Sequence, residues 1–143
     1  EEGGVLALLF NDLQLKNWPT AQHCMTLSEE HWLNGKWDDC ISNARRFMEC
    51  VLQESAAAHS LRLKGCTLPR NTYERPVEVR RYLENEGLLE QREVRTVAEV
   101  YGLLSNVGSH PNIARKDQAR LLRQVALIFS HFVMLRLRDC LPT

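Results

Sequence analysis

Apolar residues recur along this chain with the period of a helix. Trp37, Cys40, Ile41, Ala44, Phe47, Met48, Val51, Leu52 and Ser55 fall at i, i+3, i+4 and i+7 spacing, which lays one stripe along one helix face. The opposite face carries Asp38, Asp39, Asn43, Arg46 and Gln53. The spacing predicts a helix over 37–63, with Asp38 or Asp39 capping its start and Gly65 stopping it. Upstream, Pro19 suits a first helical turn, and Ala21, Cys24, Met25, Ser28 and Trp32 continue a stripe up to Gly35. A link as short as Asn34-Gly35-Lys36 folds the helices at 20–35 and 37–63 back on each other as an antiparallel hairpin.

Beyond Gly65, the stretch 66–72 reads as a loop. Pro76 opens a short helix with Val79, Tyr82 and Leu83 inward, and Gly87 ends it. Val94, Val97, Ala98, Tyr101 and Leu104 predict a further helix over 90–105, broken by Asn106, Gly108 and Pro111. The last helix, 115–140, shows one face of Leu122, Val125, Ala126, Phe129, Phe132 and Val133 and a second of Leu121, Ile128 and Leu135. A helix apolar on two sides is either central in a bundle or shared with another subunit. Only the run Val5 to Phe10 also fits a short strand. The expected fold is an all-α antiparallel bundle of four or five helices over 19–143, with 1–18 as an N-terminal arm or partial segment.

Composition narrows the function classes. A length of 143 residues fits one domain, and seven Gly with five Pro are too few for a linker or low-complexity chain. Eighteen Lys and Arg against eighteen Asp and Glu leave zero formal charge, which argues against capture of nucleic acid by bulk charge. The most apolar run, 125–135, falls short of the roughly 20 residues needed to span a bilayer, so no membrane association is expected. Five Cys, at 24, 40, 50, 66 and 140, are an odd number without CxxC spacing. They point to reduced thiols and a cytoplasmic location.

Candidate chemistry is sparse. His23-Cys24, His59 and Cys66 match neither zinc spacing nor an HExxH pair, and the chain has no phosphate-binding Gly loop and no GxSxG elbow. No metal and no cofactor are therefore expected, and the histidines read as surface residues. Arginine outnumbers lysine, which suits phosphate or bidentate carboxylate contacts. Arg115, Lys116, Arg120 and Arg123 partly share one face at the start of the last helix. The sharpest local feature is Leu104-Ser-Asn-Val-Gly-Ser-His-Pro-Asn112, which sets His110 beside Ser109, Asn106 and Gly108 in a turn between helices. A loop His can act as general acid or base; the plain alternative is a helix-end His that bonds a carbonyl before Pro111.

The order of these pieces resembles the HEPN superfamily, small helical-bundle domains of prokaryotic toxin–antitoxin, abortive-infection and CRISPR-associated systems. The resemblance rests on Asp39-Cys-Ile-Ser-Asn-Ala-Arg-Arg-Phe-Met-Glu49, then Leu83-Glu-Asn-Glu-Gly-Leu-Leu89, then a helix running into Ser105-Asn-Val-Gly-Ser-His110. It covers most of residues 20–140, and the turn is its most specific part. It implies a four- to five-helix bundle that dimerises; in active members an Arg and a His from two subunits cleave RNA without metal. His110 maps onto the motif His and Asn106 onto the polar residue, but Ser105 stands where the motif Arg is expected. Arg115 is placed to stand in for it, whereas Arg45 is expected to pair with Glu49 at i+4.

The resemblance thus implies a non-catalytic module: a homodimer that contacts RNA or a cognate protein partner. Arg45, Glu49, Ser109, Lys116 and Arg120 are its candidate polar contacts. The alternative is a metal-independent endoribonuclease with His110 as acid/base, Asn106 and Ser105 beside it, and a displaced Arg115 as phosphate clamp.

Overall fold

The computed structural model describes residues 2–108 and 115–142, apart from the side chains of residues 2 and 106–108. Among the described residues every regular element is an α-helix: α1 (Glu2–Asp12), α2 (Trp18–Leu33), α3 (Trp37–Lys64), α4 (Arg70–Tyr73), α5 (Pro76–Asn85), α6 (Gln91–Gly108) and α7 (Lys116–Cys140). The all-α expectation holds. The count exceeds the expected four or five because α1 and α4 add to it.

Two segments differ from their sequence reading. Val5 to Phe10 is not a strand but lies in α1, and the helical phase explains why. Leu6, Leu9, Phe10 and Leu13 turn inward together, whereas Val5 and Leu8 stay about half exposed or more. The segment read as an arm thus adds Leu6, Leu9, Phe10, Leu13 and Leu15 to the same core as the later helices. The stretch 66–72 holds the start of α4, a single turn after Pro69, whose carbonyl accepts from the Thr72 and Tyr73 amides.

The axis of the bundle is α3, which packs against α2, α5, α6 and α7. Cys40, Ile41, Ala44, Phe47, Met48, Val51, Leu52 and Ala56 are almost wholly removed from water. Asp38 and Asp39 do not cap the helix. Its N-cap is Lys36, without a side-chain cap bond, and the two carboxylates sit in the first turn, where the helix N-terminus favours negative charge. Asn43, assigned by its spacing to the polar face, is buried and donates to the Asp39 carbonyl at 2.9 Å. At the far end Gly65 takes a left-handed φ of 68° and its amide meets the Ser60 carbonyl, the geometry of a glycine helix stop.

The α2–α3 hairpin turns through Gly35 (φ 72°), and Ser28 Oγ ties it by donating to the Cys40 carbonyl at 2.8 Å. On α7, Ala119, Leu122, Ala126, Val133, Met134 and Leu137 are buried, and its main contact is with α3. Its second apolar side is open, with Leu121 and Ile128 more than half exposed. The central helix of the bundle is therefore α3, not α7. No helix among the described residues is long and apolar enough to cross a membrane.

All five cysteines are free, and Cys24, Cys40 and Cys50 are buried. Burial, followed by the neighbouring Glu54 charge, pushes the Cys50 thiol up to about 12, so it behaves as an inert apolar group. His59 is not a surface residue as expected but a buried one, with Nδ1 at 2.8 Å from the Tyr82 hydroxyl. Its pKa is lowered from 6.5, chiefly by burial.

Two outcomes follow from this packing. Phe47→Ala empties a fully buried site and is expected to cost about 3–5 kcal/mol in urea unfolding, against less than about 0.5 for exposed Arg46→Ala. The unfolded chain takes a proton at His59 more readily than the native state does. Stability should therefore be full above pH 6.5 and decline as the pH falls through that value. Melting curves of His59→Gln should lose that part of the decline; an unchanged pH dependence would place its origin elsewhere.

Candidate interaction site

The loop residues singled out by sequence divide sharply. Ser105 is half-buried in the closing turns of α6, which continues through Gly108 instead of ending at 105. Asn106 and Gly108, weak helix formers, are tolerated in that last stretch, where the backbone has fewer hydrogen bonds to lose. The Asn106 side chain, Ser109 and His110 lie outside the described residues. Beyond them Arg115 is the exposed N-cap of α7; its amide donates to Gln118 Oε1 at 3.1 Å.

From that cap, Lys116, Arg120 and Arg123 follow at i, i+4 and i+7, which aligns them on one side of α7. This side faces the α2–α3 hairpin. Lys116 Nζ sits 5.8 Å from the centroid of the Trp32 ring, and Trp32 meets Trp37 at 5.2 Å with the rings tilted by 54°. Trp32, Arg120, Arg123 and Gln124 line a recess of about 290 Å³. Arg123 is half-buried, and its Nε has no hydrogen-bond partner among the described residues. Guanidinium groups beside a partly exposed indole can clamp a phosphate while offering a face on which a base stacks.

Acidic residues at nearby positions moderate this corner. Glu29 and Glu30 stand near the end of α2, Asp38 and Asp39 at the start of α3, and Asp117 next to Lys116. Any anion held here is gripped by placed side chains, not by a broad positive field. Neither Trp32 nor Trp37 was assigned to the site by sequence. Their apolar spacing marks both as core, and only the hairpin's fold-back against α7 brings them to the basic stripe.

Arg45 and Glu49 belong to a different cluster. Arg45 Nη1 lies 3.0 Å from Glu49 Oε2, the i+4 pair the sequence suggests. The Tyr101 hydroxyl of α6 donates to the same oxygen at 3.2 Å, and the Arg80 guanidinium of α5 sits 5.0 Å from the Tyr101 ring centroid. Arg80 is only 8% exposed, its Nη1 lacks a partner among the described residues, and burial lowers its pKa. This cluster joins α3, α5 and α6, so Arg45 is engaged in structure. Arg80 escaped the sequence reading, although its place next to inward Val79 hinted at a buried position.

Among the described residues no group of three or more His, Cys, Asp or Glu stands together as a metal site would require. Compared with protein-family models, curated proteins and solved structures, the chain matches none.

Glu49 is the hub of its cluster, so Glu49→Ala removes the acceptor of two groups and a carboxylate whose charge favours the ionised form of Arg80. It should destabilise the fold by about 2–4 kcal/mol, whereas Arg45→Ala should cost under about 1 because that pair is partly exposed. Equal losses in chemical unfolding would show that Glu49 does not organise the cluster.

Proposed function

We propose that this chain is a HEPN-like, non-catalytic interaction module that pairs with a second copy of itself through the outer side of α7. The observation that carries the reading is the stripe Leu121, Val125, Ile128 and Phe132. Leu121 is 61% and Ile128 63% exposed, while Val125 and Phe132 are half-covered. Beside it a recess of about 360 Å³ is lined by Ile128, Phe129 and Phe132 of α7 and by Arg92, Glu93 and Thr96 of α6. Exposed apolar positions in register along one helix favour burial against another surface. A second copy offers the same stripe, so an isologous contact would cover both at once.

A second activity of the same module, contact with RNA phosphates, is supported by the corner of Lys116, Arg120, Arg123 and Trp32. It follows closely in sequence the 105–112 segment on which the HEPN resemblance rests. Exposed Arg115, the N-cap of α7 and five positions after His110 in sequence, is what favours the nuclease alternative, with His110 as its acid/base.

Sedimentation velocity should give a dimer that Ile128→Glu converts to monomer with unchanged circular dichroism. A wild type that stays monomeric at high concentration would overturn the pairing. In EDTA, a labelled single-stranded RNA should bind with salt-dependent affinity, and Arg120→Ala with Arg123→Ala should weaken it about tenfold. His110→Ala should leave that binding unchanged, with the RNA intact. Cleavage by the wild type that disappears in His110→Ala would replace this reading with the nuclease.

A further inference from the structure

A separate recess of about 330 Å³ opens where the segment after α1 meets the C-terminal half of α3 and the turn α4. Much of its wall is apolar, formed by Leu15, Ala58, Leu61 and Leu68. Glu54 also lines it, although the residue is only 3% exposed. Two donors converge on one oxygen of this carboxylate: Asn17 Nδ2 at 2.8 Å and the Tyr73 hydroxyl both meet Oε2. Among the described residues Oε1 accepts no hydrogen bond, and Glu54 makes no ion pair.

Three cations line the recess, and among the described residues none of them forms an ion pair with Glu54; Lys16 stands beside it without one. Arg62 donates to the Gln14 carbonyl at 3.0 Å, and Arg70 is held on Glu74 at 2.5 Å. The acceptor side of the recess is also fixed in place. Asn17 reaches Glu54 from a left-handed backbone (φ 66°), and Gln14 nearby is left-handed too (φ 54°). Burial and the bond to Glu54 raise the Tyr73 phenol above its usual range, so it stays a donor.

A carboxylate taken out of water without a counter-ion is unfavourable until a cation reaches it. An apolar recess strengthens that attraction by excluding solvent. Because Oε2 already accepts two bonds, a single ammonium on Oε1 suits the site better than the two-pronged guanidinium fork. A tightly held divalent metal would need further anionic ligands, and among the described residues no group of three or more His, Cys, Asp or Glu stands together. The volume lies at the small end of ligand pockets, which limits the occupant to about one ring or a short alkyl body.

We propose that this recess is a binding site for a small primary amine with an apolar body, its ammonium on Glu54 and its body against Leu15, Ala58, Leu61 and Leu68. The site is independent of the α7 surface and of the basic corner.

Calorimetric titration with 2-phenylethylamine, 2-phenylethanol and phenylacetate separates charge from shape. The amine should bind saturably and raise the melting temperature, the alcohol should bind at least about tenfold more weakly, and the acid should not bind. Glu54→Gln should lose the preference for amine over alcohol. Ala58→Leu, which fills the recess and keeps the carboxylate, should abolish binding with helicity unchanged, and so decides the matter if Glu54→Gln fails to fold. Equal affinity for amine and alcohol, no saturation by the amine at millimolar concentration, or undiminished amine binding by Ala58→Leu would overturn the proposal.

Discussion

A helix enclosed on several sides is stabilised by partners for the polar side chains that it carries inward, since an unmet polar group in the interior costs about 1–3 kcal/mol. In α3, buried Asn43 and Ser60 donate to backbone carbonyls, and Ser55 Oγ has no partner among the described residues. Buried Glu54 and His59 and the partly exposed Glu49 each bond a tyrosine. Tyr101 of α6 donates to Glu49, Tyr73 of α4 donates to Glu54, and the Tyr82 hydroxyl of α5 bonds His59. The chain has three tyrosines, and all three are used in this way. The three α3 positions are five residues apart, and five steps of about 100° advance the direction by about 140° each time. They therefore point to different sides of the helix, and three separate elements are tied to one axis.

This arrangement sorts the polar residues by task. Arg45, Glu49, Gln53, His59 and Ser60 of α3 are bound into structure, and buried Arg80 lies against Tyr101. What stays available lies at the periphery: the stripe of Leu121 and Ile128 on the outer side of α7, and the Lys116, Arg120 and Arg123 side that faces the α2–α3 hairpin. Glu54 is the exception within α3. It is satisfied on one oxygen only and lines a recess, so the element that holds the fold together also presents a charge to a pocket.

The sequence made visible whatever depends on neighbours along the chain. The period of α3, the short hairpin link, the Gly65 stop, the Pro76 start, the Arg45–Glu49 pair and the run Lys116, Arg120, Arg123 all arise from residues within a turn or two of each other. The parts it hid depend on distant partners. Tyr73 and Glu54 lie 19 positions apart, Tyr82 and His59 lie 23 apart, and Tyr101 and Glu49 lie 52 apart. No period records such pairs. Asn43 looks polar and outward on a helical wheel, yet α3 is covered on too many sides for it to reach water. Glu54, seven residues after Phe47, already falls on the apolar stripe, and only its distant partners were hidden. Helix α1 was missed because its leucines are dense enough to fit either a strand or a helix until a core selects one phase.

Native-state hydrogen exchange along α3 tests the axis most directly. If the tyrosine contacts and surrounding helices enclose it as described, the amides from Ala44 to Ala56 should exchange only through global unfolding. Their opening free energy should then equal that from denaturant unfolding, with the amides of α1 and α4 exchanging at lower free energies. Exchange of the α3 amides through a partial opening, at a free energy below that of α6 or α7, would contradict a bundle built around this helix.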